Sequence, residues 1–387
     1  MNRILLTLFL IFFALPDLGI NLGPINLRVN DIIIYLLFLI NLGTIQYQIT
    51  YIIKLYKIQL LLILYSSISL LVVVLFSSSE LISSYELIRS IGSIPFLIIL
   101  PYLLKFKRNR DFFYRGAFIG GAIYIVMLYF NYQSILINAE LIKNYASFKS
   151  SVAFSSINPN AVSTISVILS GANFLSYFEN KSKYSLLLSV ILLLVPFLIY
   201  SRAVSLSILF SMLFFILDYK KMNIKSVAYL FMFFSIIYLS ISNFINLEFL
   251  SQALDINVFS GQGFSGRYEV WEQGLQLIQR SILFGHGFCT NIGLYDRYFY
   301  GHMSHNIILH YWIELGFIGV FLFFSFLHKI FRNNWNKYIN TYQLVYLFQF
   351  CFFLSFAMAD LSGQLLYMNK YAYLIYILSL IDINTDG

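Results

Sequence analysis

Arginine and histidine side chains at the edges of long apolar runs are where this sequence could do chemistry. Arg202 stands in Tyr200-Ser201-Arg202-Ala203, a very short link between two apolar stretches. Two readings stay open for it. It is either an arginine snorkelling at a membrane interface or a guanidinium clamping phosphate through two parallel hydrogen bonds. Arg267 ends the glycine-rich run Gly261-Gln262-Gly263-Phe264-Ser265-Gly266 and leads into Tyr268-Glu269-Val270-Trp271-Glu272. Val270, Trp271, Leu275, Ile278 and Ile282 recur near helical spacing, which predicts an amphipathic helix on a membrane surface. Ser265 or Gly266 would cap its start, and the free N–H groups beside Arg267 would suit phosphate or diphosphate. The plainer alternative is a surface arginine neutralised by Glu269.

Gly301-His302-Met303-Ser304-His305-Asn306 precedes the next apolar run. At a helix N-terminus the dipole disfavours a cationic imidazole. A neutral His305 there is suited to take the proton of an attacking hydroxyl. His310 and Glu314 follow at i,i+4 spacing and share a helix face. A polar contact between helices is the favoured reading of that pair. The spacings of His286, His302, His305 and His310 fit no His-Glu-x-x-His or other recognised zinc pattern, so neither metal nor cofactor is expected.

Composition defines the elements that must position these groups. The chain is 59% hydrophobic and 11% charged, against about a quarter charged in soluble domains. Runs of about 18 to 25 nearly uncharged residues recur, the length that crosses a bilayer core of about 30 Å. Backbone groups in lipid must bond within their own segment, so such runs must be helices. A β-barrel would show short alternating segments instead. The first run follows Arg3 and meets Pro16-Asp17 rather than a small-residue cleavage site, which predicts a retained first helix. Cys289 and Cys351 fall in different settings and are not expected to pair. The net charge of +8 lies in short clusters between apolar runs, the pattern of cytoplasmic loops rather than of nucleic-acid binding.

The fold expected is an all-α polytopic membrane protein, one domain over residues 1–387 with about twelve transmembrane helices. Their approximate spans are 4–22, 31–46, 58–76, 86–104, 112–132, 153–177, 184–201, 203–218, 226–245, 305–327, 340–358 and 365–382. Lys54 and Lys57, the run 105–110, Lys181 and Lys183, Lys220 to Lys225, and Lys329 to Lys337 then mark the cytoplasmic side. Both termini come out cytoplasmic. A large external loop spans 247–304, between helices nine and ten, and contains the amphipathic helix. Asp31, Glu86, Asp111 and Asp218 fall near helix ends, where interfacial solvation suffices. No internal repeat is evident, which weighs against inverted-repeat transporters.

Four segments, in order, resemble the O-antigen polymerase and ligase family. Asn158-Pro159-Asn160 is similar to its "NPN", and Ser201-Arg202 to its "SR" at an external helix end. Ser265-Gly266-Arg267-x-x-x-Trp271, continuing to Leu283-Phe284-Gly285-His286-Gly287, resembles its "SGR-x-x-x-W … PL-x-G-x-G". Ser281-Ile282 stands where that pattern usually has proline. Ser304-His305-Asn306-x-x-Leu309 with Glu314-Leu315-Gly316-x-x-Gly319 resembles "HN-x-x-L … E-L-G-x-x-G".

The resemblance implies a metal-independent, inverting glycosyltransferase of the inner membrane, using undecaprenyl-diphosphate-linked oligosaccharides at the periplasmic face. It makes Arg202, Arg267 and His305 the catalytic positions, with Trp271, Asn306, Glu314 and Asn160 at the substrate. Partners implied are the lipid bilayer and the flippase and chain-length regulator of the same pathway, with no nucleic acid. The composition, heavy in Ile, Asn, Tyr, Phe and Ser, resembles that of variable O-antigen clusters, and this resemblance implies polymerase, with ligase as the alternative; a flippase is the alternative from another class.

Overall fold

The computed structural model describes residues 1–15, 19–22, 25–46, 49–76, 81–137, 159–199, 201, 204–205, 207–212, 267–299, 306–359 and 370–382. Along the chain these form α1 Asn2–Phe13, a ribbon of β1 Gly19–Leu22 and β2 Ile25–Arg28, α2 Val29–Ile45 and α3 Ile49–Phe76. Next come α4 Ser84–Ile91, α5 Ile94–Leu104, α6 Lys107–Ile137, α7 Pro159–Asn180 and α8 Lys183–Leu198. The remainder is α9 Arg267–Arg280, α10 Asn291–Phe299, α11 Ile307–Thr341, α12 Leu344–Ala359 and α13 Lys370–Leu380.

Among the described residues four helices are long and apolar enough to cross a membrane: Tyr56–Phe76, Lys107–Asn131, Ala161–Asn180 and Ile307–Thr341. Six further helices are apolar but shorter. Leu61, Leu64, Ile68, Leu71 and Leu75 of α3 are all exposed, a face that water would not tolerate and lipid would. This is the surface of an integral membrane protein. The expected helix at 226–245 lies outside the described residues, as do half of 203–218 and the loop sections 247–266 and 300–304.

Two expected helices and one expected connection are corrected. The first, expected over 4–22, ends at Phe13. An antiparallel ribbon follows, pairing Gly19 with Arg28 and Leu22 with Ile25. Pro16 explains the stop, since proline disfavours helix in the residue before it. The helix expected over 86–104 is two, divided at Gly92-Ser93 with Pro95 in the first turn of α5. The Tyr35 hydroxyl donates to Gly92 O at 2.8 Å and fixes that corner. The cytoplasmic connection expected around Lys329, Arg332 and Lys337 is helix: α11 runs unbroken by proline to Thr341 and turns at Tyr342, in the left-handed region at φ 53°. Residues 317–341, past the non-helical Gly316, alone span about 37 Å at about 1.5 Å per residue, so these cations lie on helix rather than in a connection.

Close packing rests on small residues where helices cross. A Cβ on Gly116 would stand 2.5 Å from Thr7 O, and one on Gly120 would stand 2.6 Å from Leu10 O. This glycine pair, four residues apart, lets α6 lie against the backbone of α1. At one end of the bundle the fully buried Arg110 makes a forked pair with Glu179, Nη2 to Oε1 at 2.8 Å, and donates to the carbonyls of Leu104 and Lys105. That pair joins α6 to α7 and to the end of α5.

Candidate active site

The helix expected from the apolar spacing exists, as α9, but its buried face differs from the one expected. Val270, Leu277 and Ile278 are buried, while Leu275 and Ile282 are each 52% exposed. They pack with Leu294, Tyr295 and Ile313 into a small core separate from the main one. The Tyr295 hydroxyl donates to Val270 O at 2.8 Å. Gly274 makes room for it, since a Cβ there would stand 2.7 Å from that hydroxyl. The inner face of α9 therefore packs on protein, chiefly on α10 and α11.

Helix α9 ends at Arg280, and no proline follows it where the resembled pattern has one. Ser281 donates its hydroxyl to Gly285 O at 2.7 Å and closes a tight turn instead. The residues that follow run into a break in α11. Gly316 has φ 64° and ψ −165°, a conformation that is nearly glycine-only. In an unbroken helix the carbonyls of Ile313 and Glu314 would accept from the N–H groups of Phe317 and Ile318. Here all four groups turn to the 282–287 segment. Phe317 N–H donates to Ile282 O at 2.9 Å and Ile318 N–H to Leu283 O at 3.4 Å, while His286 and Gly287 N–H donate to Ile313 O and Glu314 O, each at 2.8 Å.

Two of the sequence motifs thus form one interlock. A Cβ on Gly316 would sit 2.2 Å from Leu283 O, and one on Gly285, at φ 71°, would sit 2.5 Å from Glu314 O. Both contacts are with backbone, so neither can be relieved by a side-chain rotation. The Trp312 indole N–H adds a bond to Ile282 O at 3.1 Å, and the Tyr65 hydroxyl of α3 donates to Leu315 O at 3.2 Å. His286 is occupied too, with Nε2 2.7 Å from Leu277 O.

The interlock also sets direction. Gly274 faces Leu309 and Ile313, and eight residues later Ile282 meets Trp312 and Phe317. Helices α9 and α11 therefore run parallel, and their N-termini lie at the same end. Arg267 is the first residue of α9, and Asn306 caps α11, its Oδ1 accepting from the N–H groups of Ile308 at 2.9 Å and Leu309 at 3.1 Å.

Glu314 sits behind this interlock. It is fully buried, and its Oε1 accepts from the N–H of Asn291, the first residue of α10, at 3.1 Å. His310 Nε2 lies 3.3 Å from the same oxygen and 3.9 Å from Glu86 Oε1. Glu86, expected at a solvated helix end, is only 5% exposed. It is the residue the sequence hid: its partners stand more than 200 positions away and no spacing signals the contact. Beside the cluster Cys289 is buried, and burial, reinforced by Glu314 and Glu86, pushes its thiol far above the ordinary range. Cys289 and Cys351 are free cysteines.

The remaining expected residues are placed as follows. Trp271 is half-buried on α9, and Asn160 is the second residue of α7, after Pro159. Only the backbones of Arg267 and Asn160 are described. Arg202 and His305 lie outside the described residues, and so do the cap candidates Ser265 and Gly266.

Residues 187–324 match a family model described as O-antigen ligase. That stretch runs from α8 through α9, α10 and the broken part of α11, so it contains the whole interlock. Over that stretch the chain is similar to the O-antigen ligase family, which supports the polymerase and ligase resemblance of its motifs. The Asn158-Pro159-Asn160 segment and Glu86 fall outside the match. Among curated proteins, none matches the chain. The family match gives no support to the flippase alternative.

Proposed function

We propose that this protein is an O-antigen polymerase of the inner membrane, joining undecaprenyl-diphosphate-linked repeat units at the periplasmic face. The observation that supports this reading is the parallel pairing of α9 with α11. It brings the helix start carrying Arg267 and the helix start next to His305 in sequence to one end of a braced unit. In this account Arg267 and Arg202 engage the diphosphate of the donor, offsetting the charge that grows as it leaves. His305 accepts the proton of the acceptor hydroxyl. The hydroxyl oxygen forms a bond to the anomeric carbon as the bond from that carbon to the diphosphate oxygen breaks, inverting the centre. Undecaprenyl diphosphate departs, and the transfer itself uses no metal. Trp271, Asn306 and Asn160 serve the substrate, whereas the burial of Glu314 gives it a bracing role. Both termini are cytoplasmic.

The second reading is O-antigen ligase, favoured by the description of the matching family model. Gene deletion separates the two. Loss of a polymerase leaves lipid A core capped by a single repeat unit; loss of a ligase leaves bare core and unattached polymer. A deletion that leaves the surface glycan unchanged refutes both.

A further inference from the structure

The cluster on α4 and α11 is built from three ligating side chains. Glu86, His310 and Glu314 each offer one ligand atom, and these atoms lie within 4.8 Å of one another. All three side chains are buried, Glu86 at 5% exposure and the other two at 0%. His310 and Glu314 come one turn apart on α11, the spacing that lets two side chains on one helix face share a ligand, and Glu86 faces them from α4.

We propose that these three residues form a structural site for one divalent transition-metal ion of the zinc or manganese class. Charge is the first argument. Burying two carboxylates is costly unless they are compensated. A divalent cation bonded to both carboxylates offsets the pair. Distance is the second. Bonds of about 2.0–2.2 Å in tetrahedral geometry put neighbouring ligand atoms about 3.3–3.6 Å apart. The His310–Glu314 separation of 3.3 Å already fits and the His310–Glu86 separation of 3.9 Å needs a small inward shift. Orientation is the third: the Asn291 N–H bond to Glu314 Oε1 at 3.1 Å fixes that carboxylate from outside. One imidazole with two carboxylates is a donor set for zinc, manganese or ferrous iron rather than for a soft monovalent ion. Such an ion would fasten α4 to α11 one turn before the break at Gly316. It stands apart from glycosyl transfer, and its test contains no glycan.

The test is elemental analysis of the purified full-length protein in detergent. A second measurement follows on protein stripped with EDTA and equilibrated with zinc or manganese ions. About one ion per chain is expected, together with a higher melting temperature on adding the metal. Glu86→Gln and His310→Ala should each weaken retention by at least tenfold, while Glu272→Gln, on the exposed face of α9, should retain the ion. If either cluster variant fails to fold, a cobalt(II) visible spectrum of the wild type decides: tetrahedral cobalt bands support the site, and the spectrum of free aqueous cobalt refutes it. A wild type that binds no metal by either measurement overturns the proposal, as does undiminished retention in folded Glu86→Gln and His310→Ala.

Discussion

Replacing Gly316 by alanine should detach the 282–287 segment from α11. The cost can be worked from the geometry. A non-glycine residue near φ 64°, ψ −165° costs about 1–3 kcal/mol in backbone strain. The added methyl would lie 2.2 Å from Leu283 O and 2.5 Å from Gly285 N, so the two backbones must part. Parting them loosens the bonds from Phe317 N–H to Ile282 O and from Ile318 N–H to Leu283 O, each worth about 1 kcal/mol net. The sum is about 3–5 kcal/mol. It is local, because α11 itself can re-form its own ladder once the segment has left. Hydrogen exchange of the purified protein should therefore show His286 and Gly287 amides losing about 100-fold or more of their protection, with α6 and α7 unchanged. Gly43→Ala is the control. Nothing lies within 4 Å of a Cβ there, and alanine in a helix gains up to about 1 kcal/mol over glycine. If Gly316→Ala exchanges like the wild type, the interlock does not hold the loop and the reasoning fails.

Three other outcomes are expected. Arg110→Ala leaves Glu179 buried and alone and should cost about 3–5 kcal/mol, read by chemical denaturation; Arg110→Met with Glu179→Leu should recover most of it, and an unaltered single variant would show that the pair is dispensable. Neither cysteine should react with a thiol reagent at neutral pH in the native protein, because both are buried and the Cys289 thiol is pushed up by burial and by Glu314 and Glu86; both should react after unfolding, and rapid native labelling of Cys289 would contradict the packing. Arg267→Lys should lower transfer about 10- to 100-fold, the loss of one charged hydrogen bond of about 1.5–3 kcal/mol, since an ammonium cannot reproduce the guanidinium fork; full activity would make Arg267 an ordinary surface charge.

Much of this was legible in the sequence, for identifiable reasons. Helix α9 announced itself because Val270 and Ile278 repeat at helical spacing, yet its buried face also needed Leu277 and Gly274, which only the packing against Tyr295 reveals. Glycines 285 and 316 were visible as motif letters; their reason is a contact between segments about 30 residues apart. Hydropathy hid the ribbon at 19–28, because Gly19-Ile20-Asn21-Leu22 reads as a continuation of the apolar run. It also concealed Glu86, since a helix end in sequence need not be a helix end at the surface. The extension of α11 through Lys329 and Lys337 is not legible in the sequence, because clustered cations are the pattern of a loop and no proline or glycine marks where the helix stops.

The most direct test of the central claim is elongation by purified protein given only lipid-linked repeat units. Wild type should produce a ladder of longer lipid-linked glycans, and His305→Ala, inserted and folded normally, should fall about 10²- to 10⁴-fold, the usual contribution of a general base. A ladder from His305→Ala indistinguishable from wild type would contradict the account.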